Sequence, residues 1–552
     1  MRAFLKSLML LVPVVLCASV AASGQVSNAR LEKAVSEPQN WLNFGATYDN
    51  QRFSTLGQIT PANVKNLQLQ WILQSTVTGY WEASPLVVNG VMYVTQRPND
   101  VVALDARTGK VYWTYRYSNA PNARVCCGAN NRGLAILGNT LYMGTLDGHV
   151  VAIDARSGQP VWNVAVSDPK DNYGMSGAPL VVKNKIVVGV SGGDSGIRGF
   201  VAALDADTGK EAWRFYTVPG PGEAGHETWQ GSSDWQHGGG STWVTGAYDP
   251  ALNLVYWGAG NPGPDYNPAQ RPGDNLYTNS VIALDADTGT LKWHFQFTPN
   301  DGYDYDSTEV PVLADMAWKG KPAKVLLWAN RNGFFYVLDR ATGKFLLGRN
   351  FIPVNWASGL DANGRPIQTP PPDGTPVFPG VNGGTNWYPP SFSPKTGLFY
   401  VPIWENYGAI FHRQDQQFKA GGGYSGGGFT VIAPAATAPA PLMGKPGPAM
   451  DIATDETGNG AVIAIDPRTG KRVWTHRLFD VTDAGILSTA SNLVFSGSRE
   501  GYVYALDGKT GKRLWQVNLG AMIAMAPMTY RVNGKQYMSV IAGQTLATFA
   551  LP

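Results

Sequence analysis

One eleven-residue motif, repeated seven times along the chain, limits the possible folds more than any other feature of this sequence. Each copy has an apolar strand end, an Asp-x-x-Thr-Gly or Asp-x-x-Ser-Gly turn, and a second strand that reaches Trp or, once, Leu. The Asp can accept hydrogen bonds from N–H groups of the turn, and Gly supplies the positive φ that the turn needs. The Trp is large enough to fill a gap between two sheets. The copies begin at Ala103, Ala152, Ala203, Ala283, Val337, Ala464 and Ala505.

The spacing of this motif predicts an all-β fold, an eight-bladed β-propeller with tryptophan-docking motifs. Its Asp residues are mostly 41 to 80 residues apart, which suits one four-stranded blade for each copy. Asp339 and Asp466 are 127 residues apart, and we interpret the hairpin-like segment 391–403 between them as an additional blade. The segment 66–71, which ends in Trp71, is predicted to close the ring from the N-terminal side. A closed ring leaves few exposed sheet edges.

Composition fits one large β domain, residues 25–552, with a Gly- and Pro-rich excursion at about 414–459. The chain has 65 Gly, 38 Pro and 18 Trp, only 15% of its residues are charged, and no long helical pattern occurs. A formal net charge of +3 gives no basic footprint for nucleic acid. The sequence lacks Cys-x-x-Cys-His, phosphate-loop and His-Glu-x-x-His motifs, which excludes the haem, nucleotide and zinc sites that those motifs build.

The first 24 residues are predicted to be a signal peptide. Arg2 and Lys6 form a positive segment, residues 8–16 are apolar, and residues 18–24 are small enough for cleavage. The apolar run is too short to span a bilayer as an anchor. The sequence therefore predicts export to the periplasm or out of the cell, without a membrane span.

Two adjacent cysteines, Cys126 and Cys127, remain in the exported chain. Adjacent Cα atoms lie ~3.8 Å apart, below the usual minimum of about 4.4 Å for a disulfide. A bond between them forms a strained ring that closes almost no loop, so it adds little stability and suggests a functional site. Two unpaired structural thiols are the alternative. The disulfide is favoured because free thiols do not persist in an oxidising compartment.

Oxygen-rich loops interrupt the repeats at three places, and they contain Asp194, Asn261, and the trio Asp301, Asp304 and Asp306. Such residues are usually solvated turn residues. Alternation along an extended segment, however, puts Asp304 and Asp306 on one side. Neighbouring carboxylates repel each other unless a cation or a proton intervenes. Asp194, Asn261 and Asp304 together would offer a hard cation a site made only of oxygen ligands.

Six further polar and aromatic residues stand out, although each alone is better explained by packing or a surface ion pair. They are Glu82, Arg132, Trp243, Arg331, Asn386 and Trp387. Their occurrence together in one chain gives them weight as a group.

With these motifs the chain closely resembles the quinoprotein alcohol dehydrogenases, which use pyrroloquinoline quinone. The resemblance extends from Trp41 to about Leu551 and implies an eight-bladed propeller built on the tryptophan-docking repeat. That repeat also occurs in propellers that are not enzymes. The Cys-Cys…Asn-Arg-Gly block, Gly-Asn-Pro, Asp-Tyr-Asp and Asn-Arg-Asn-Gly-Phe are together highly specific.

The resemblance implies a site for pyrroloquinoline quinone. Cys126 and Cys127 would form a vicinal disulfide over one face of the quinone ring, and Trp243 would lie beneath the other face. The other matched positions hold the carboxylates and carbonyls of the cofactor or line its pocket. They are Glu82, Arg132, Ser176, Ser191, Gly192, Gly193, Ser241, Arg331, Asn386 and Trp387.

The resemblance also implies a metal site. Asp194, Asn261 and Asp304 match the metal ligands, and Asp306 matches the aspartate of the lanthanide-using branch, so a lanthanide is favoured over Ca²⁺. Position 194 is usually Glu in the family, and the shorter Asp leaves direct ligation by this residue open. In the implied reaction the metal polarises the quinone C5 carbonyl, Asp304 removes the alcohol proton and hydride moves to C5. Arg331 stabilises the negative charge that develops there.

The implied function is a periplasmic dehydrogenase that oxidises small primary alcohols to aldehydes and passes electrons to a separate soluble cytochrome c. One alternative is a calcium-dependent quinoprotein that acts on another alcohol, a sugar alcohol or an aldehyde. Another is a non-enzymatic periplasmic propeller scaffold. The sequence leaves the preferred alcohol and the oligomeric state open, with a homodimer among the options.

Overall fold

The computed structural model describes residues 25–120, 123, 128–230, 234–432 and 460–552, which form 37 β-strands and a few short helices. The signal peptide predicted at residues 1–24 lies outside the described residues, and so do Cys126 and Cys127. No helix in the described part of the chain is long and apolar enough to cross a membrane. The helices are α1 (Asn28–Glu32) and 3₁₀ turns at Ala34–Ser36, Val64–Asn66, Pro169–Asp171, Gly193–Ser195, His226–Thr228, Asp234–His237 and Pro268–Gln270.

Two strands precede the first four blades, and they are β1 (Phe53–Ser54) and β2 (Gln68–Gln74). Blade 1 has β3 (Leu86–Val88), β4 (Val91–Gln96), β5 (Asp100–Asp105) and β6 (Val111–Tyr115). Blade 2 has β7 (Ala135–Leu137), β8 (Thr140–Gly144), β9 (His149–Asp154) and β10 (Pro160–Ala165). Blade 3 has β11 (Leu180–Val182), β12 (Lys185–Gly189), β13 (Phe200–Asp205) and β14 (Glu211–Tyr216). Blade 4 has β15 (Ala247–Asp249), β16 (Leu254–Gly258), β17 (Ser280–Asp285) and β18 (Leu291–Gln296).

The other four blades are interrupted by two hairpins. Blade 5 has β19 (Val312–Trp318), β20 (Lys321–Ala329), β21 (Phe334–Asp339) and β22 (Phe345–Asn350), and a hairpin of β23 (Ala357–Leu360) and β24 (Pro366–Gln368) follows it. Blade 6 has β25 (Ser391–Ser393), β26 (Leu398–Trp404), β29 (Gly460–Asp466) and β30 (Lys471–Leu478), with the hairpin β27 (Gly408–Arg413) and β28 (Gly427–Ile432) inserted. Blade 7 has β31 (Leu487–Thr489), β32 (Leu493–Gly497), β33 (Tyr502–Asp507) and β34 (Arg513–Asn518). Blade 8 has β35 (Met528–Val532), β36 (Lys535–Ala542) and β37 (Thr545–Ala550).

The described strands form eight four-stranded antiparallel sheets, with β1 added in parallel to β31 of blade 7. The fourth strand of blade 8 is β2, which pairs with β37 from Gln68–Ala550 to Gln74–Thr545. The predicted eight-bladed β-propeller is therefore confirmed, and the segment around Trp71 does close the ring. The turn motif occurs seven times rather than eight because blade 8 is closed by the two ends of the chain.

The prediction that the segment 391–403 forms an additional blade was wrong. This segment supplies β25 and β26, and β26 pairs with β29, which carries the motif copy at Ala464. The long interval between Asp339 and Asp466 arises instead from the two hairpins β23–β24 and β27–β28. The predicted excursion at 414–459 begins inside the second hairpin, and its residues 433–459 lie outside the described part of the chain.

Each motif turn joins the third and fourth strands of its blade. In blade 1, Asp105 Oδ1 accepts hydrogen bonds from the N–H groups of Arg107 and Thr108 at 2.8 and 2.9 Å. Gly109 completes the turn with φ of 74°. The register then shifts at Leu104, so that Trp113 faces Ala103. The Asp of the motif thus accepts the predicted hydrogen bonds from the turn, and the Gly has the predicted positive φ.

Successive blades are joined by a contact between a Trp ring and a motif glycine. A Cβ added to Gly289 would lie only 2.5 Å from the ring of Trp213, so the indole rests directly on the glycine. In blade 5, Leu347 takes the place of Trp and contacts Gly470. Trp515 of blade 7 instead packs edge-on against Phe549 of blade 8, with centroids 5.7 Å apart. The other contacts pair Trp71 with Gly109, Trp113 with Gly158, Trp162 with Gly209, Trp293 with Gly343, and Trp474 with Gly511.

We predict that Gly289→Ala destabilises the protein more than Gly374→Ala does. Both glycines have positive φ, 71° and 77°, but nothing lies within 4 Å of a Cβ at Gly374. The left-handed backbone costs each variant about 1 kcal/mol, and the clash with Trp213 adds roughly 1–3 kcal/mol at Gly289. Urea unfolding followed by Trp fluorescence measures the difference. Equal losses in the two variants would show that the indole contact is not tight.

Candidate functional site

A cavity of about 710 Å³ lies where segments from all eight blades meet. In each blade, the segment just before the first strand contributes lining residues. Because all eight blades contribute in this way, the cavity lies at the centre of the ring. In blade order these contributions include Glu82, Arg132, Ser176, Trp243, Asp306, Trp387, Asp483 and Ala524.

The structure gathers most of the predicted site residues around this cavity. Asn261 is buried behind the wall rather than lining it, and Cys126 and Cys127 lie outside the described residues, directly before the lining residue Gly128. The chemical roles of these residues remain predictions. The predicted residues that line the cavity are Glu82, Arg132, Ser176, Ser191, Gly192, Gly193, Asp194, Ser241, Trp243, Asp304, Asp306, Arg331, Asn386 and Trp387.

A buried ion pair lies at one end of the cavity. Arg132 Nη2 is 2.6 Å from Glu82 Oε2, and Asn130 Nδ2 donates to Glu82 Oε1 at 2.8 Å. The guanidinium carbon of Arg132 is 5.0 Å from the ring centroid of Trp243 and 4.3 Å from that of Trp387. Burial raises the pKa of Glu82 and lowers the pKa of Arg132. The pair therefore holds a positive group between two indole rings.

Asp306 connects this aromatic wall with a group of acidic residues that line the same cavity. Its Oδ1 accepts a hydrogen bond from the backbone N–H of Asn261 at 2.7 Å. Its Oδ2 accepts from Trp243 Nε1 at 2.9 Å and from Arg331 Nη1 at 3.0 Å. Three donors from three different loops thus fix one carboxylate.

Arg331 bridges two carboxylates. Its Nη2 lies 3.3 Å from Asp304 Oδ2 and also donates to the carbonyl oxygen of Val381 at 2.6 Å. Burial acts to lower the pKa of Arg331, but the charges of Asp304 and Asp306 outweigh it and raise that pKa. Asp304 has φ of 62°, a left-handed conformation that few non-glycine residues adopt and that occurs at strained functional sites.

The other carboxylates of this group are wholly or partly shielded from water, since Asp265 is buried and Asp194 and Asp304 are half-buried. Burial raises the pKa of Asp194 to about 6, and the charge of Asp306 adds to the shift. Burial also raises the pKa of Asp304, although Arg331 opposes the change. For Asp265, burial and the charge of Asp194 raise the pKa together. Crowded carboxylates of this kind are stabilised by a cation.

Sequence reasoning missed several residues of the site. Asp265 lines the cavity, and Glu309 lies behind Arg331, where its Oε1 accepts from the N–H of Arg331 at 2.7 Å. Asp483 lines the cavity and pairs with Arg499 at 2.9 Å. Asp265 stands within the Gly-Asn-Pro-Gly-Pro-Asp loop that drew attention only to Asn261. The other two carboxylates have no motif that distinguishes them from surface residues.

The cavity residues fit the cofactor and the metal that the resemblance implies. Among the lining residues that the structure describes, the buried atoms Asn130 Oδ1, Arg132 Nε and Arg331 Nε have no hydrogen-bond partner, and Glu82 Oε2 has only its ion-pair contact with Arg132. The two free N–H groups suit a ligand that carries carboxylates and carbonyls. The oxygen-only set Asp194, Asn261, Asp304 and Asp306 suits a hard cation.

The metal ligands themselves remain a prediction. Within the described residues, no three His, Cys, Asp or Glu side chains meet in metal-coordinating geometry. Arg331 instead bridges Asp304 and Asp306.

Two family models match the chain. One, described as "Glucose/ethanol/alcohol dehydrogenase, beta-propeller domain", matches residues 41–359, which is more than half of the chain. The other, described as "Outer membrane protein assembly factor BamB", matches residues 458–550.

Individual proteins match over nearly the whole chain. The chain is 40% identical to the quinohemoprotein alcohol dehydrogenase ADH IIB of Pseudomonas putida, over 97% of this chain and 77% of that protein. It is 39% identical to the 1-butanol dehydrogenase (cytochrome c) of Thauera butanivorans, over 91% of this chain and 74% of that protein. Among solved structures, a europium-containing methanol dehydrogenase has a TM-score of 0.86 and 34% identity, covering 95% of this chain and 100% of that one.

We predict that Glu309→Gln makes stability less sensitive to pH. Burial raises the pKa of Glu309 from an ordinary value near 4.5 to about 8. The stability that this group contributes is therefore complete below pH 4.5 and is lost as the pH rises through 8. The Tm of the wild type should fall more between pH 5 and pH 8.5 than that of Glu309→Gln. The exposed Glu227→Gln serves as the control for loss of charge, and equal pH slopes for wild type and Glu309→Gln would contradict the prediction.

Proposed function

Because the chain belongs to the quinoprotein alcohol dehydrogenase family, which depends on pyrroloquinoline quinone, we propose that it oxidises small primary alcohols to aldehydes. The observation that carries this proposal is the central cavity. There a buried arginine packs against two indole rings, and Arg331 bridges two carboxylates of an acidic group. The names of the relatives, which include a 1-butanol dehydrogenase and a methanol dehydrogenase, support an alcohol as substrate.

Several residues are proposed to hold the cofactor. Trp243 would stack against one face of the quinone, and a disulfide between Cys126 and Cys127 would cover the other. The unpartnered Nε atoms of Arg132 and Arg331 are available for its carboxylates and carbonyls. The bound cofactor supplies the capacity to accept two electrons, and the metal ion supplies Lewis acidity.

Asp304 is proposed to be the general base that removes the proton from the alcohol hydroxyl. Burial raises the pKa of Asp304 and so makes its carboxylate a stronger base. Arg331 lies 3.3 Å from this carboxylate and remains protonated, because Asp304 and Asp306 raise its pKa. Arg331 therefore acts as a fixed hydrogen-bond donor that stabilises negative charge developing beside Asp304.

The metal is proposed to be a lanthanide rather than Ca²⁺. Asp194, Asn261 and Asp304 would be its ligands, together with Asp306. The additional carboxylate of Asp306 favours an ion of higher charge. The similarity to a europium-containing methanol dehydrogenase supports this choice. The alternative is a calcium-dependent enzyme that acts on another alcohol, a sugar alcohol or an aldehyde.

We further propose that the enzyme works in the periplasm and passes its electrons to a separate cytochrome c. Residues 1–24 have the composition of a signal peptide, which supports export. The name of the 1-butanol dehydrogenase (cytochrome c) supports the acceptor. The scaffold alternative rests on the propeller repeat alone, which does not account for the cavity.

We predict dye-linked oxidation of short primary alcohols once the purified protein receives pyrroloquinoline quinone and La³⁺. Asp304→Asn should lower kcat by roughly two to four orders of magnitude, since a general base contributes about 10²–10⁴-fold. Initial rates with methanol, ethanol and longer alcohols measure the effect. An absence of activity with La³⁺, other lanthanides and Ca²⁺ across a broad alcohol panel would refute the proposed function.

Asp306→Ala separates the two metal alternatives. A lanthanide enzyme should lose its La³⁺-supported activity, because the variant lacks the extra carboxylate. A calcium enzyme assayed with Ca²⁺ should lose less activity, because for that enzyme Asp306 only holds Trp243, Asn261 and Arg331 in place. Asp306→Asn, which keeps the size of the side chain, controls for loss of packing around Trp243. Unchanged La³⁺-supported activity in both variants would contradict a role for Asp306 in the choice of metal.

A further inference from the structure

Asp265 is a cavity-lining carboxylate to which neither the motifs nor the proposed mechanism assigns a role. It is 2% exposed and lines the same cavity as Asp194, Asp304 and Asp306. Its backbone is held by the fully buried Arg271, whose Nη2 donates to the carbonyl oxygen of Asp265 at 3.1 Å. Arg271 Nε donates to the carbonyl oxygen of Pro264, also at 3.1 Å. The loop therefore fixes the Asp265 carboxylate within the acidic group of the cavity.

This carboxylate is bonded to Asn261, a proposed metal ligand. Asn261 Nδ2 donates to Asp265 Oδ1 at 2.9 Å, while the backbone N–H of Asn261 donates to Asp306 Oδ1 at 2.7 Å. Asn261 is also 2% exposed. A side-chain amide has one NH₂ group, with two N–H donors, and one oxygen acceptor. Since Asp265 engages the NH₂ group, the amide oxygen is the atom left for a cation.

The charges around Asp265 do not balance. Four aspartates lie there, and among the described residues Arg331 makes ion pairs with Asp304 and Asp306. No ion pair of a described basic residue reaches Asp194 or Asp265. Buried carboxylates without a cationic partner are costly. With a cation bound, the four ionised carboxylates face Arg331 and the charge of Arg271, which acts on both Asp265 and Asp301. The excess of negative charge matches a trivalent cation better than a divalent one.

We propose that Asp265 is a positioning residue of the metal site and a determinant of its preference for trivalent over divalent cations. Its carboxylate orients the Asn261 amide through Nδ2, and its charge adds to those of Asp194, Asp304 and Asp306. This inference rests on the proposed function, because it concerns the metal of the same site. The Asp265 side chain thus has two separable effects: it orients the Asn261 amide, and it adds one negative charge to the site.

Three variants separate these effects. Asp265→Asn keeps an oxygen that can accept from Asn261 but removes the charge, Asp265→Ala removes both, and Asp265→Glu keeps the charge. The exposed Asp207→Asn is the control for loss of one charge elsewhere. Each full-length protein, loaded with pyrroloquinoline quinone, is titrated with Tb³⁺, and Ca²⁺ is then added as competitor. Terbium emission excited through Trp gives the two Kd values, independent of catalytic activity.

We expect Asp265→Asn to weaken Tb³⁺ binding about 10-fold or more, within the range for outer residues of metal sites. Binding of Ca²⁺ should change less, so the ratio of the Kd for Ca²⁺ to the Kd for Tb³⁺ falls. Asp265→Ala should weaken both metals further, whereas Asp265→Glu and Asp207→Asn should keep the preference for Tb³⁺. Thermal unfolding of each variant identifies any that is misfolded.

Two results would overturn the inference. Wild-type Kd values for both metals in Asp265→Asn and Asp265→Ala would remove Asp265 from the metal site while leaving the proposed function intact. A wild type that binds neither Tb³⁺ nor Ca²⁺ but is correctly folded would remove the metal-dependent function and this inference with it. A fall in the Tb³⁺ to Ca²⁺ preference that Asp265→Glu reverses would establish the charge effect.

Discussion

Closure of the ring by the two ends of the chain is the constraint on which the rest of the structure depends. The N-terminal strand β2 completes blade 8 by pairing with β37, the last strand of the chain. Near this junction Arg52 is fully buried and donates to the carbonyl oxygens of Phe44 and Pro527 at 2.8 and 3.1 Å. Its guanidinium also lies 5.0 Å from the ring of Trp41. A guanidinium satisfied by backbone carbonyls ties the N-terminal segment to the last blade.

The closed ring explains why the site is both crowded and strained. Eight segments converge on one cavity, so polar side chains from different blades are buried against each other. Glu82 and Arg132 neutralise each other, and Arg331 forms ion pairs with Asp304 and Asp306. Each arginine nevertheless keeps an Nε atom without a partner among the described residues. The protein thus holds donors and carboxylates in place at a cost that bound ligands would offset.

Much of the fold could be predicted because its unit is local. The Asp turn bonds N–H groups two and three residues away, as Asp105 does with Arg107 and Thr108. The motif therefore shows where a blade's last two strands meet, whatever the rest of the chain does. Blade 6 was misassigned because a hairpin and an undescribed segment separate β26 from β29, and only backbone pairing shows that these strands are neighbours. Local motifs do not indicate which strands pair with each other across such an insertion.

The sequence by itself determined the repeat, the family and fourteen of the residues that line the cavity, because short motifs carry them. Only the tertiary structure decided how these residues are joined. Asp306 meets Asn261, 45 residues away, and Arg331, 25 residues away, through contacts that exist once the blades are side by side. The same holds for Asp265, whose loop drew attention only to Asn261, and for Glu309, which no motif distinguishes from a surface carboxylate. Their burial and their charge environment are properties of the closed ring, since water leaves the centre only when all eight blades surround it.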